Sequence, residues 1–193
     1  MAKAALKPMT VAEFLRWEDG TDARYELLGG EPVAMAPPAV AHGILALRLG
    51  ARIEAALRAR PPCFAQSEAG IAKPDRDDTC YVADLAVTCA PLQPGQHLMT
   101  DPLLIVEVLS PGTIAHDRHT KVPDYCRITS VQEILLIDSE RVFAEVLRRH
   151  GERWITEIIE GRDAVLSLAS VALTVPMADL YEDIPIAETF RQP

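Results

Sequence analysis

The sequence predicts an α/β fold in which a mixed central β-sheet is flanked by helices. Three observations predict it. Residues 40–59 carry the periodicity of a long amphipathic helix. LLIVEVLS (103–110) and EILLID (133–138) are too apolar to be half-exposed strands, so both belong in the middle of a sheet covered on two faces. Helical and extended patterns alternate along one chain, with no linker or repeat between them. At 193 residues, 49% apolar and 24% charged, the chain can bury one proper core, and a single domain over 1–193 is expected.

Taken in order, Thr10-Val11-Ala12-Glu13 has the form of a capping box and predicts a short helix over 11–18, ended by Asp19-Gly20. RYELLGGEPVAMAP reads as two short strands about Gly29-Gly30. In the long helix Leu45, Leu49, Ile53, Ala56 and Leu57 share one stripe, with Arg48, Arg52 and Arg58 mostly outside it, and Pro61-Pro62 stops the helix. Residues 63–73 read as a strand, KPDRDDT (73–79) as a solvated acidic turn, YVADLAVT (81–88) as a strand and 89–102 as a connection. A short helix is expected near 120–128, between the two buried strands. VFAEVLRR and RWITEIIE form a closing hairpin with a turn near Gly151, and PMADLYED adds one helical turn. Val142, Val146, Trp154, Ile158 and Ile159 of that hairpin are assigned to the core of the sheet in preference to a subunit interface.

The formal net charge of −9 runs against a simple nucleic-acid binder, although a local groove or bound cations reverse the sign where it matters. No apolar run is long enough to span a bilayer, and MAKAALKPMT lacks the apolar stretch of a secretory signal, so a cytoplasmic location is expected. Cys63, Cys80, Cys89 and Cys126 show no metal-binding spacing and are read as reduced packing thiols.

Glu107 is the anomaly. A lone carboxylate inside a buried strand costs several kcal/mol, in round terms, unless something compensates it. Asp84 sits mid-strand 23 residues earlier. If the two strands pair antiparallel with Thr88 opposite Leu103, Asp84 falls opposite Glu107 on the same face. A slip of one residue would put them on opposite faces. Two acids so placed repel, and either a shared proton or a divalent cation relieves them; carboxylates with carbonyls and water suit Mg²⁺, Mn²⁺ or Ca²⁺. The structural alternatives are a turn cap or arginine partner for Asp84, and a buried salt bridge for Glu107. Lys121 lies 14 residues beyond Glu107, where an ammonium could position or deprotonate a metal-bound water or neutralise a phosphate; alternatively it faces solvent.

Taken together, RYELLGGE, a histidine opening the long helix, VADLAVT, LLIVEVLSPGT, D-x₃-K-x₃-Y (Asp117, Lys121, Tyr125) and VQEILLID resemble the restriction endonuclease-like family (Uma2-type) common in cyanobacteria and other bacteria, within the PD-(D/E)XK nuclease superfamily. The resemblance covers about residues 9–182, and the order of the motifs is more specific than any one of them. It implies a restriction-endonuclease-like core with Mg²⁺ at the paired carboxylates. Asp84 matches the motif aspartate and Glu107 the second carboxylate. The superfamily lysine two residues on is Leu109 here, and the resemblance implies that Lys121 supplies it instead. Glu26 matches an N-terminal glutamate that completes the metal shell directly or through water, its alternative being a hairpin salt bridge. His42 matches a histidine that contacts substrate or orients Glu26, its alternative being a hydrogen-bonded structural histidine.

Two departures stand out. Ala83 replaces the usual proline before the aspartate. Pro123 would break a helix that begins near Asp117, but is harmless in the first turn if Thr120 is the N-cap. His116-Asp117-Arg118-His119 reads as a polar loop rather than a metal cluster. The expectation is a Mg²⁺- or Mn²⁺-dependent DNA endonuclease with catalytic Asp84, Glu107, Lys121 and Glu26, metal at Asp84 and Glu107, and substrate at His42. A homodimer fits, since cutting two strands takes two sites. The rival expectations are a nuclease fold without activity serving as a binding or assembly module, and a metal-dependent hydrolase of another substrate, which an anionic site lacking a basic groove would favour.

Overall fold

The first helix opens on the capping box the sequence predicts. In the computed structural model, which describes residues 8–186, Thr10 N–H donates to Glu13 Oε2 (2.8 Å) and Glu13 N–H to Thr10 Oγ1 (3.2 Å). The helix itself, α1 (Val11–Phe14), is shorter than expected. The hairpin β1 (Tyr25–Leu28) and β2 (Glu31–Ala34) turns at Gly29 and Gly30, both at positive φ. Gly30 is required twice over: its φ is +84°, and a Cβ there would stand 2.7 Å from that of Pro8.

Helix α2 (Val40–Leu57) buries Leu45, Leu49, Ile53 and Leu57, spaced four residues apart, and leaves its other faces partly or fully exposed. It lies across a sheet built from β3 (Phe64–Ala72), β4 (Cys80–Thr88), β5 (Pro102–Leu109), β6 (Glu133–Asp138), β7 (Phe143–His150) and β8 (Arg153–Glu160), together with β1 and β2. The order is β2-β1-β4-β5-β6-β7-β8, with β3 on the free edge of β4. β5 and β6 run parallel to each other and all other pairs are antiparallel.

β5 explains its own apolar sequence. Leu104, Val106 and Val108 face α2, while Ile105 and Leu109 face a second core on the opposite side with Tyr125, Ile134 and Leu136. Two covered faces leave no place for a polar alternation.

Three expectations are corrected. The segment read as a helix near 120–128 is helical from much earlier: α3 (Ile114–His116), a π turn (Asp117–Lys121) and α4 (Val122–Tyr125) follow without a break. The HDRH stretch is therefore helix, not loop. Cys63 and Cys89, expected as reduced thiols, form a disulfide. The pairing of Phe64 with Thr88 places the next residues outward opposite each other, which no spacing in the sequence reveals. Finally, the exposed side of the hairpin includes Ile158, which is 64% exposed, so only Val146 and Ile159 of the five apolar hairpin residues are fully in the core.

A second, two-stranded sheet of β9 (Val165–Leu168) and β10 (Leu173–Pro176) was not anticipated; with α5 (Met177–Leu180) it covers the α2 side of the core. Among the described residues no helix is long and apolar enough to cross a membrane.

Candidate functional site

The site is a gap in the sheet. One edge of β4 is paired with β3. Along the other edge β5 pairs with residues 85–88, and β1 reaches β4 only at Cys80. Between them β4 has no strand neighbour, and side chains take the place of the missing ladder. Val82 N–H donates to Glu26 Oε1 (2.9 Å), and Val82 O accepts from Lys121 Nζ (3.1 Å). Asp84 Oδ2 accepts from Val108 N–H (2.6 Å), just past the last β4–β5 rung. Buried backbone groups must be paired, and here carboxylates and an ammonium pair them.

The register behaves largely as expected. Leu85, Ala86 and Val87 face Val106, Ile105 and Leu104, and continuing that register brings Asp84 to Glu107. Only at the far end does a bulge set Thr88 against Pro102 instead of Leu103. On the β3 side the rung at Asp84 is missing, where Glu68 takes a left-handed φ of +52°.

Lys121 arrives through the π turn. Val122 N–H donates to Asp117 O, five residues back, so the turn is one residue wider than α. This resolves Pro123. The helix begins near Ile114, earlier than either expected start, and the widened turn accommodates a residue that has no N–H and whose ring would crowd a normal helix. Asp117, Lys121 and Tyr125 then recur at four-residue intervals and converge on the sheet gap.

Lys121 is 5% exposed and its Nζ is surrounded: Glu26 Oε1 at 2.9 Å, Asp117 Oδ1 at 3.3 Å and Glu107 Oε1 at 3.5 Å. Burial alone would lower its pKa, but the three carboxylates outweigh that and hold it above the ordinary lysine range. It stays an ammonium. As an ammonium it has the charge to position a metal-bound water or to neutralise a phosphate, two of the roles expected of it. Glu107 is 2% exposed and accepts from Tyr125 Oη at 2.7 Å. Burial pushes its carboxyl up to about 8; Lys121 opposes the rise, and Asp84 and Asp117 add to it. Burial likewise raises Asp117, against Lys121. The Tyr125 phenol lies well above its usual range, from burial and then from the Glu107 charge.

The structure brings together all the residues singled out by sequence. Glu26, Asp84, Glu107 and Lys121 meet at the gap, with His42 beside them. His42 Nε2 lies 2.9 Å from Asp84 Oδ1, so its partner is Asp84 and not Glu26. Leu109, where the sequence resemblance implies a lysine, is buried in the second core. Sequence reasoning gave no role to Asp117, Tyr125 or His116. His116 Nε2 stands 3.5 Å from Glu26 Oε2 without a hydrogen bond. The four-residue spacing of the first two around Lys121 was the available signal. For His116 the signal is the HDRH stretch, which reads as a loop in the sequence and is helix in the structure.

Above this floor opens a cleft of about 1070 Å³, walled by the segment after β2, α2 as far as Glu54, the Ala65–Glu68 part of β3 and the Ser110–Thr113 turn.

Comparison with known proteins agrees with this architecture. A crystal structure of a "putative nuclease belonging to DUF820" from Anabaena variabilis is similar at a TM-score of 0.72 and 22% identity, covering 90% of this chain and 98% of that one. At that identity the likeness establishes the fold: a large mixed central sheet flanked by helices. Two uncharacterized proteins of Synechocystis sp. are similar over almost their full lengths. One, slr1290, is 27% identical over 184 residues, 94% of this chain and 95% of its own. The other, sll1609, is 26% identical over 172 residues, 88% and 97% respectively. Residues 11–178 match the family model described as "Uma2: Putative restriction endonuclease", a span that includes every residue of the gap, and the chain belongs to that family.

Proposed function

We propose that this protein is a Mg²⁺- or Mn²⁺-dependent nuclease that hydrolyses DNA phosphodiesters over Asp84 and Glu107. The observation that carries the reading is the delivery of Glu26, Asp84, Glu107 and Lys121 by four separate elements to one gap in the sheet, where their alternative would be four unrelated structural ion pairs. Family membership supports it.

The donor set fits a hard divalent cation. Asp84 and Glu107 offer only carboxylate oxygens, and burial, with the neighbouring acids adding to it, pushes the Glu107 carboxyl up to about 8, so a cation there would be strongly favoured. Among the described residues no three ligating side chains converge on one point, so an ion here would rest on Asp84 and Glu107, with water and substrate phosphate filling its other positions. Bound there, the ion supplies a water of lowered pKa and neutralises charge on the phosphate. The chain's own residues fix the rest. His42 and Val108 N–H hold the two oxygens of Asp84, so the carboxylate cannot turn. Tyr125 orients Glu107. Lys121 stabilises the extra negative charge that develops on the phosphate during attack. Glu26 and Asp117 hold Lys121 in place and keep it charged.

One observation favours a second reading, a nuclease-fold binding module without cleavage: the ammonium of Lys121 already neutralises part of the acid cluster. Calorimetric titration of Mn²⁺ and Mg²⁺ into wild type and Glu107→Gln, with and without a DNA oligonucleotide, separates the two. The nuclease reading expects metal binding that the variant loses, and cleavage that Asp84→Ala and Glu107→Ala abolish. Absence of binding in both conditions, with wild type as inert as the variants, would replace it by the module.

A further inference from the structure

The cleft above the acids has a charge balance unlike that of a duplex-binding groove. Its lining carries six carboxylates, Glu26, Glu54, Glu68, Asp84, Glu107 and Asp117, against two full cations, Arg24 and Lys121. Both cations are engaged: Arg24 pairs with Glu68, and Lys121 is buried among Glu26, Asp117 and Glu107. The wall runs along α2 from about Ala39 to Glu54, a distance of about 22 Å. A duplex laid along it would bring about 13 phosphate charges. Two paired cations cannot meet them.

What the walls do offer is apolar surface. Val33, Met35, Pro37 and Pro38, from β2 and the segment after it, and Leu47 of α2 are all in the lining. Leu47 is 75% exposed and Val33 44% exposed, a large apolar outlay for side chains that serve no core. Aliphatic and proline side chains are the ones that lie against unstacked bases where nucleic acid is pried apart. The proline pair also makes the segment after β2 stiff and ready-formed. The cleft volume of about 1070 Å³ is at the upper end of the range for small-ligand sites.

We propose that the cleft takes a single unpaired nucleic-acid strand, its bases against the Met35–Pro38 and Leu47 walls and one phosphodiester over Asp84 and Glu107, and that it excludes duplex. This rests on the nuclease reading and names its substrate class. The few cations bear on how binding responds to salt: with at most two phosphates neutralised, the slope of log K against log salt is no steeper than about −1.4 for a single strand.

The test is fluorescence anisotropy of a short labelled oligonucleotide, alone and annealed to its complement, against Glu107→Gln with Mn²⁺ and against wild type in EDTA. Alongside it, wild type with Mn²⁺ is given both forms to cleave. Single strand should bind at least about tenfold tighter than duplex, with the shallow salt slope. Leu47→Glu should weaken that binding about tenfold or more with an unchanged melting curve, since the side chain is exposed; Leu47→Phe should tighten it by stacking. Duplex bound or cut as well as single strand overturns the proposal and leaves the nuclease reading standing. A strand preference that Leu47→Glu does not alter also overturns it. Selective strand binding without any cleavage supports the cleft assignment and overturns the nuclease reading instead. Failure of both forms to bind overturns the cleft assignment whatever the cleavage result, and favours the hydrolase of another substrate that an anionic site without a basic groove fits.

Discussion

Replacing Lys121 by methionine keeps the length of the side chain and removes a charge that three buried acids share. Glu26 (7% exposed), Asp117 (3%) and Glu107 (2%) lose the ammonium that lies within 2.9–3.5 Å of each, and the carbonyl of Val82 loses its donor. Breaking a buried ionic cluster by removing one partner costs about 3–5 kcal/mol, because the remaining charges stay buried without compensation. For a chain of this size that is a drop of about 6–20 °C in Tm. The pH dependence identifies the cause. Lysine held above its ordinary range contributes stability that is fully present below its unfolded pKa of 10.5. Glu107 and Asp117, both raised by burial, become protonated as pH falls, and then no longer need it. The gap between wild type and Lys121→Met should therefore be widest near pH 8 and shrink towards pH 5. Thermal melts followed by circular dichroism across that range provide the measurement, with added Mg²⁺ expected to stabilise the variant more than wild type. A loss below about 1 kcal/mol at pH 8, or one independent of pH, would refute the account, since exposed pairs behave that way and buried clusters do not.

Glu107→Gln should flatten the pH dependence of stability. A carboxyl raised from 4.5 to about 8 favours the folded state below pH 4.5 and loses that contribution as pH rises towards 8, by at most about 5 kcal/mol; urea titrations at pH 5 and 8 should show the loss in wild type and not in the variant. Tyr125→Phe removes the donor to Glu107 and should lower stability by about 1.5–3 kcal/mol, read from the same titrations; an unchanged midpoint would mean the bond contributes nothing. Leu49→Ala opens a cavity under α2 where the side chain is fully buried and should cost about 2–5 kcal/mol, whereas Leu47→Ala, two residues away and exposed, should stay within about 0.5 kcal/mol.

Legibility in the sequence followed the physics of each element. α2 and β5 were readable because burial on one stripe, or on both faces, leaves a periodicity that no turn chemistry disguises. The β9–β10 hairpin was missed although its alternation is present: Leu166 and Leu168, then Leu173 and Val175, are the buried positions. Its turn closes through a 3₁₀ segment and Ala172 at φ +54°, so the glycine or asparagine that announces such a turn is absent. The Cys63–Cys89 bond depends on the β3–β4 register, a property of two strands and not of either one. The helix start at Ile114 was obscured by SPGT before it and by Pro123 after it, and only the π turn reconciles the two.

That π turn also ties the site to its supporting fold. In the arrangement that the sequence resemblance implies, a lysine follows the second carboxylate by two residues on one strand. Here that position, Leu109, is spent on the second core, packed with Tyr125, Ile134 and Leu136. A cation for the gap must then come from another element, and the nearest route from the end of β5 is the SPGT turn and the helix after it. An α-helical turn at Lys121 would place Pro123 where its ring crowds the helix. The wider turn removes that conflict and holds Asp117, Lys121 and Tyr125 together on the side facing β4 and β5. The odd proline, the apolar residue in the lysine's place and the buried acid in LLIVEVLS are thus one arrangement. The acid is tolerated inside the strand because the helix after β5 supplies its hydrogen-bond donor and its counter-charge.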